Sequence, residues 1–327
     1  MRPLYFALFI ISVCLTRQSG GYAQTPGNAP AHHPAAQALL DNNIKLFTRP
    51  EGIEVDYQQI VLGRSQNAVI NGRSITADKR KVHIDLEYKQ VGRTARLKLL
   101  CDGNTFYRLE TLPEQSTMVS YTLQELQTAL DQLATNETER VARDDVEKEQ
   151  TGIHGFAGVS AALGDLKKRM IFSEPKATTL EVPGKEKLNV KMIEGQWTNE
   201  VLDIIAPTKK GTSPNQQDQR YLWKEKLHFF QVPRLARLYF NASNDQLVRI
   251  EMVGITEKQG PDKVLVSIDL NKVELLKTLD AKLFEPNETE KKYTRIPHDL
   301  AADIKNRHQQ TMNIMKIQQQ MQNQRDR

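Results

Sequence analysis

The chain predicts an α+β fold, a broad antiparallel sheet with helices laid over one face. Two patterns carry the prediction. Apolar and polar residues alternate with period two in segments separated by hairpin turns, while a leading stretch and the middle of the chain switch to helical spacing. The length agrees. Of 327 residues, about 300 remain once the leader is removed, within the range of one large sheet with helices.

Residues 1–23 read as an export signal. Arg2 is followed by an apolar stretch from Leu4 to Leu15, a polar stretch from Thr16, and the small-residue exit Gly21, Tyr22, Ala23, so cleavage is expected after Ala23. A lipid-acceptor role for Cys14, which Ile11 and Ser12 precede suitably, is opposed by Val13, a position that normally takes Gly, Ala or Ser. No later segment approaches the roughly 20 apolar residues of a membrane helix. The mature chain is therefore expected to be soluble, without a transmembrane span, and periplasmic or otherwise exported. Residues 24–35, rich in Pro, Gly and Ala, predict a flexible leader.

The main domain is expected over residues 36–297. Ala36, Leu39, Leu40, Ile44 and Phe47 lie at helical spacing, and Pro50, Glu51 and Gly52 end that helix before the alternating Ile53, Val55 and Tyr57. Val82, Ile84, Leu86 and Tyr88 alternate with His83, Asp85 and Glu87; beyond a turn at Gly92, Leu97, Leu99 and Cys101 continue the pattern. Asp102-Gly103 is a hairpin signal before a further strand, Asn104 to Glu110. A helical insertion follows at about 122–187. Thr122 with Glu125 forms a capping box ahead of the stripe Leu123, Leu126, Leu130 and Leu133, and Val159, Leu163, Leu166 and Met170 form a second stripe. The charged run from Asn136 to Gln150 between them reads as an exposed helix end or loop. Strands resume at Leu188, Val190 and Met192, then at Val232 to Phe240, Leu247 to Ile255 and Val264 to Leu270. Lys209 to Gln219 has no apolar anchor and reads as a surface loop. Residues 298–327 predict a Gln- and Met-rich helix whose stripe of Ile304, Met312, Met315 and Ile317 is thin.

Charge and chemistry narrow the function. The formal charge is +5, but Arg2 and Arg17 leave with the signal and the tail carries a small basic excess, so the body is close to neutral and nucleic acid is not an expected partner. With Cys14 removed, Cys101 is left as a single cysteine; it is read as a small buried side chain rather than a reactive thiol, and no disulfide forms. The histidines are scattered without metal-ligand spacing, and neither a phosphate-binding loop nor a nucleophile elbow is present. Acidic clusters such as Asp144-Asp145 sit in hydrophilic surroundings that would not raise a carboxylate pKa. No enzyme, metal or cofactor is expected. Trp197, Trp223, Phe229, Phe230 and Tyr239 are read as core aromatics rather than a binding platform.

Order along the chain resembles the LolA/LolB-like periplasmic lipoprotein carriers, as a divergent, larger member. The residues that carry the resemblance are the helix Ala36 to Phe47, the turn from Cys101 through Asp102, Gly103 and Asn104 to Phe106 and Tyr107, the helical middle, and the closing Leu283, Phe284, Glu285, Pro286. The resemblance implies a curved, incomplete antiparallel β-barrel covered by helices, with acyl chains held in the concavity. No functional arginine is carried over: Arg80, Arg96 and Arg108 are all on suitable strands. The expected function is thus a non-enzymatic envelope protein that binds a lipid or lipidated protein in an apolar concavity. Leu86, Leu97, Leu99, Val190 and Met192 are the expected ligand contacts, on alternation alone. The alternative is an envelope scaffold with a filled barrel that offers its C-terminal helix to a protein partner.

Overall fold

The computed structural model describes residues 32–62, 67–77, 81–90, 93–133, 159–181, 186–198, 201, 233–255, 262–306, 308 and 309. The expected signal peptide, most of the leader, Arg80, the run from Asn136 to Gln150, the loop from Lys209 to Gln219, Trp223, Phe229, Phe230 and residues 310–327 lie outside these residues.

Among the described residues the framework is a 13-stranded sheet, open at both ends and almost wholly antiparallel. The first half is a meander of β1 (Ile53–Val61), β2 (Ala68–Ala77), β3 (Lys81–Gln90), β4 (Arg93–Asp102), β5 (Thr105–Leu112) and β6 (Gln115–Thr122). In the second half, β7 (Met170–Phe172) and β8 (Lys176–Leu180) both pair with β9 (Leu188–Trp197), which continues through β10 (Leu235–Asn241) and β11 (Leu247–Ile255) to β12 (Asp262–Leu275). β12 then pairs with β1 from Ile53↔Leu275 to Val61↔Val266 and welds the halves into one incomplete barrel. Register shifts fall at the joint, at Asp56/Tyr57, and in the second half, at Tyr239/Phe240 and Met252/Val253; such bulges bend a strand and increase its twist.

Two strands escape an alternation reading. In β2 the pattern is interrupted at Asn71-Gly72-Arg73 because the Tyr57 ring lies over Gly72, where an added Cβ would stand 2.2 Å from Tyr57 Cζ. In β6 the apolar residues Met118 and Val119 are adjacent and serve opposite faces. The end of the expected helical insertion is also strand, at β7 and β8.

Helices cover one face, hereafter the inner one. α1 (Pro34–Phe47) starts with Pro34 in its first turn, where a missing N–H is harmless, and turns Ala36, Leu39, Leu40 and Phe47 into the core. It begins two residues ahead of the expected start, and His32 and His33 already pair with β7, the His33 amide donating to the Phe172 carbonyl at 3.1 Å. The buried Asn43 amide donates to the carbonyls of Leu39 (2.9 Å) and Asp245 (2.8 Å) and its oxygen accepts from the Leu247 amide (2.8 Å), fastening the helix to the β10–β11 turn. α2 (Leu123–Asp131) opens with the expected capping box: Thr122 Oγ1 accepts from the Glu125 amide at 3.1 Å and Glu125 Oε2 accepts from the Thr122 amide at 2.7 Å. α3 (Val159–Arg169) buries Leu163 and Leu166 and lies against α1.

The opposite, outer face is ionic. Cross-strand pairs join Glu54 to Arg73, Asp85 to Arg96, Glu194 to Arg237 and Arg249 to Asp269, as a solvated sheet face requires. After β12 the chain returns across this face as a belt. Phe284 packs on Ile75 and Ala77, Glu290 pairs with Lys98, and Tyr293 packs with Leu100, Leu109 and Met118. β13 (Thr294–Arg295) runs parallel to β6 at the sheet edge. The chain then rounds that edge, and the helical residues 300–306 return to the inner face, where Leu300 and Ile304 join Phe106, Tyr121, Leu126 and Leu130.

Candidate functional site

Directly paired residues of an antiparallel sheet share a face, so the register reads the inner surface row by row. One row crosses eight strands as Ala95, Tyr88, Ile70, Gln59, Ile268, Ile250, Leu238 and Ile193. The next contains Glu110, Leu97, Leu86, Gly72, Tyr57 and Leu270, and a third contains Val119, Arg108, Leu99, Ile84, Ser74 and Val55. The surface is thus greasy over β9–β12 and β1–β4 and becomes polar at β5, where Arg108 and Glu110 form an ion pair on the inner side.

The helices roof this surface in two patches. α1 and α3 cover a large cluster that includes Val55, Tyr57, Leu86, Leu97, Met170, Phe172 and Phe240. α2 and residues 300–304 cover a smaller one around Cys101, Phe106 and Tyr121. Val82 and Leu99 are partly exposed and touch both clusters, so a seam runs between the two roofs along the third and fourth strands.

Three of the five expected contacts are therefore neighbours on the inner face: Leu86 and Leu97 face each other across β3 and β4, and Leu99 lies one step along, at the seam. Val190 and Met192 lie in the other phase of β9. In β9 it is Ile193 and Trp197 that join the inner cluster, and alternation sends Val190 and Met192 to the outer face, where Met192 pairs with Tyr239. Both phases of β9 carry apolar residues, so periodicity could not choose between them. Gln59, Arg108 and Glu110 were missed; each keeps the inward phase of its strand but is polar.

The remaining polar groups behave structurally. Trp197 is buried and its Nε1 donates to the Pro233 carbonyl at 2.7 Å, whereas the Tyr239 hydroxyl donates to Glu251 at 2.8 Å on the outer face, so these two aromatics form no common platform. Burial, with a smaller push from Asp85, raises the Tyr57 pKa and keeps that phenol neutral. Burial lowers the pKa of His83, whose Nδ1 lies 2.6 Å from the Leu283 carbonyl in the belt. Cys101 is buried. No group of three His, Cys, Asp or Glu side chains able to hold a metal occurs among the described residues, and no helix among them is long and apolar enough to cross a membrane. Leu300 and Ile304 are occupied by packing against α2; Met312, Met315 and Ile317 lie outside the described residues.

No protein-family model matches the chain, and no curated protein matches it. Several solved structures are similar to the chain over most of their length. LprF from Mycobacterium bovis is 15% identical, with a TM-score of 0.34, and the alignment covers 74% of this chain and 94% of that one. A putative outer membrane lipoprotein-sorting protein domain from Vibrio parahaemolyticus is 7% identical, with a TM-score of 0.28 and coverage of 77% and 97%. A LolA superfamily protein from Nitrosomonas europaea is 10% identical, with a TM-score of 0.25 and coverage of 76% and 97%.

Proposed function

We propose that the protein is an exported, non-enzymatic envelope protein that holds the acyl chains of a lipid or lipidated protein against the inner face of its open sheet. One observation carries the reading: a continuous apolar surface spanning β9–β12 and β1–β4 is roofed by two separate helical patches that leave Leu99 partly exposed between them. Each methylene taken out of water there would contribute about 0.8 kcal/mol, so a chain of a dozen carbons can be held without any polar contact. A hairpin-built sheet with an ionic outer face and no closed edge can let its roofs part at the seam while the strands stay paired.

The test is direct. Protein purified under mild conditions from its native envelope is extracted and the extract analysed by mass spectrometry, alongside uptake of a fluorescent fatty acid by delipidated protein. Bound lipid and saturable uptake are expected. Leu99→Asp, at a partly exposed seam position, should lower uptake at least tenfold while the circular dichroism spectrum is kept. Empty protein together with no uptake would overturn the reading.

A further inference from the structure

The inner row centred on β1 contains an anomaly. Gln59 is 1% exposed and stands between Ile70 and Ile268, in a row that runs Ala95, Tyr88, Ile70, Gln59, Ile268, Ile250, Leu238, Ile193. Its Nε2 is buried with no hydrogen-bond acceptor among the described residues. A buried amide N–H without a partner is costly, and native proteins rarely leave one so unless an acceptor arrives from elsewhere. The side chains directly beside it cannot serve, and its Nε2 makes no bond to the Tyr57 or Tyr88 hydroxyl. Ile70, Ile268, Val61 and Ile250 carry no acceptor, and the Glu110 carboxylate lies four strands away, at β5.

We infer that Gln59 is the polar anchor of the ligand site, and that its Nε2 donates to the carbonyl oxygen of an acyl ester or amide whose hydrocarbon chain lies along the flanking apolar rows. The inference rests on the acyl-binding function proposed above and adds a specificity to it. The chemistry selects the ligand class. A neutral donor set in hydrocarbon suits a neutral carbonyl, whereas a phosphate or free carboxylate would have to be stripped of water with no cation in the row to compensate it. Ile268, the direct cross-strand neighbour of Gln59, is partly exposed, as is Tyr88 in the same row, so a chain laid there meets surface that the roof does not fully cover.

Methyl palmitate and heptadecane, which have equal carbon counts, are the probes, each titrated as a competitor of a bound environment-sensitive hydrophobic dye on the whole mature protein. The wild type is expected to bind the ester about tenfold more tightly than the alkane. Gln59→Met, which keeps the volume and removes the amide, should erase that preference through the ester alone, leave heptadecane unchanged, and hold or raise the melting temperature of the ligand-free protein. Equal affinity of the wild type for both probes, or parallel weakening of both by Gln59→Met, would overturn the anchor while sparing acyl binding. A melting temperature lowered by several degrees in Gln59→Met would show that the amide serves the fold, and overturns the anchor too. Failure of both probes to displace the dye would sink the acyl-binding reading and the anchor with it.

Discussion

Single residues in this protein are informative where they break the pattern of their strand. Gln59 does so inward, and His83, in the polar phase of its strand, is buried all the same. His83 is buried beneath the belt with its ring nitrogen on the Leu283 carbonyl, and burial, reinforced by Lys98 and Arg73 against the opposing pull of that carbonyl and Asp85, puts its pKa below the ordinary 6.5. The unfolded chain therefore binds a proton that the folded chain refuses. Stability is complete above about pH 6.5 and falls as the pH drops from there towards the depressed folded value, below which this contribution levels off. Urea unfolding at pH 8 and pH 5 should show the loss, and His83→Gln should flatten it; an unchanged pH dependence in the variant would mean that other groups set it.

Among elements, the belt after β12 has the least obvious origin in sequence and the clearest consequence. Residues 276–295 bury few large side chains, and their grip on the sheet depends on Phe284, Tyr293 and the pair Lys98–Glu290, whose side chains are 12% and 9% exposed. Glu290 also accepts from the Asn287 amide at 2.9 Å, so its charge is anchored on both sides. Lys98→Met would strand that carboxylate beneath the belt and is expected to destabilise the protein by about 3 kcal/mol, whereas Lys98→Met combined with Glu290→Gln should recover much of the loss. Equal stability of the single and double variants, measured by urea unfolding, would show that the pair is not coupled. The belt also delivers residues 300–306 around the edge strand, which makes the second roof patch a product of the C-terminus and of α2 together.

For the whole molecule the decisive pairing is β1 with β12, residues some two hundred positions apart that convert two meanders into one open barrel. Both strands of that pair are hydrogen-bonded along both edges, so their amides should be the slowest to exchange with solvent, while β13 at the sheet edge, pairing only through the exposed Thr294 and Arg295, should exchange fastest among the strands. Native-state hydrogen exchange followed by mass spectrometry tests this; protection greatest in β5 and β6 would mean that the first meander, and not the joint, is the stable unit. Openness at both sheet ends matters for the proposed function, because a closed barrel of this composition could admit a chain only through its mouths, whereas a roofed sheet can admit it along a seam.

Much of the architecture was legible in the residues. The strands at 53, 82, 97 and 105, the capping box at Thr122, the leading helix and the inward phase of Leu86, Leu97 and Leu99 all follow from periodicity and turn chemistry, which are properties of short segments read alone. Gln59 was legible too, since it keeps the phase of Ile53, Val55 and Tyr57, but a glutamine in that phase gains meaning only when its neighbours across two strands prove to be isoleucines. What the tertiary structure alone decided is everything that depends on partners distant in the chain: the interruption of β2 by a tyrosine from β1, the turning of Val190 and Met192 to the outer face, the belt, and the alignment of eight strands into one row. The physical reason is that alternation specifies two faces without saying which is buried, and that choice is made by long-range pairing and by where the helices come to rest.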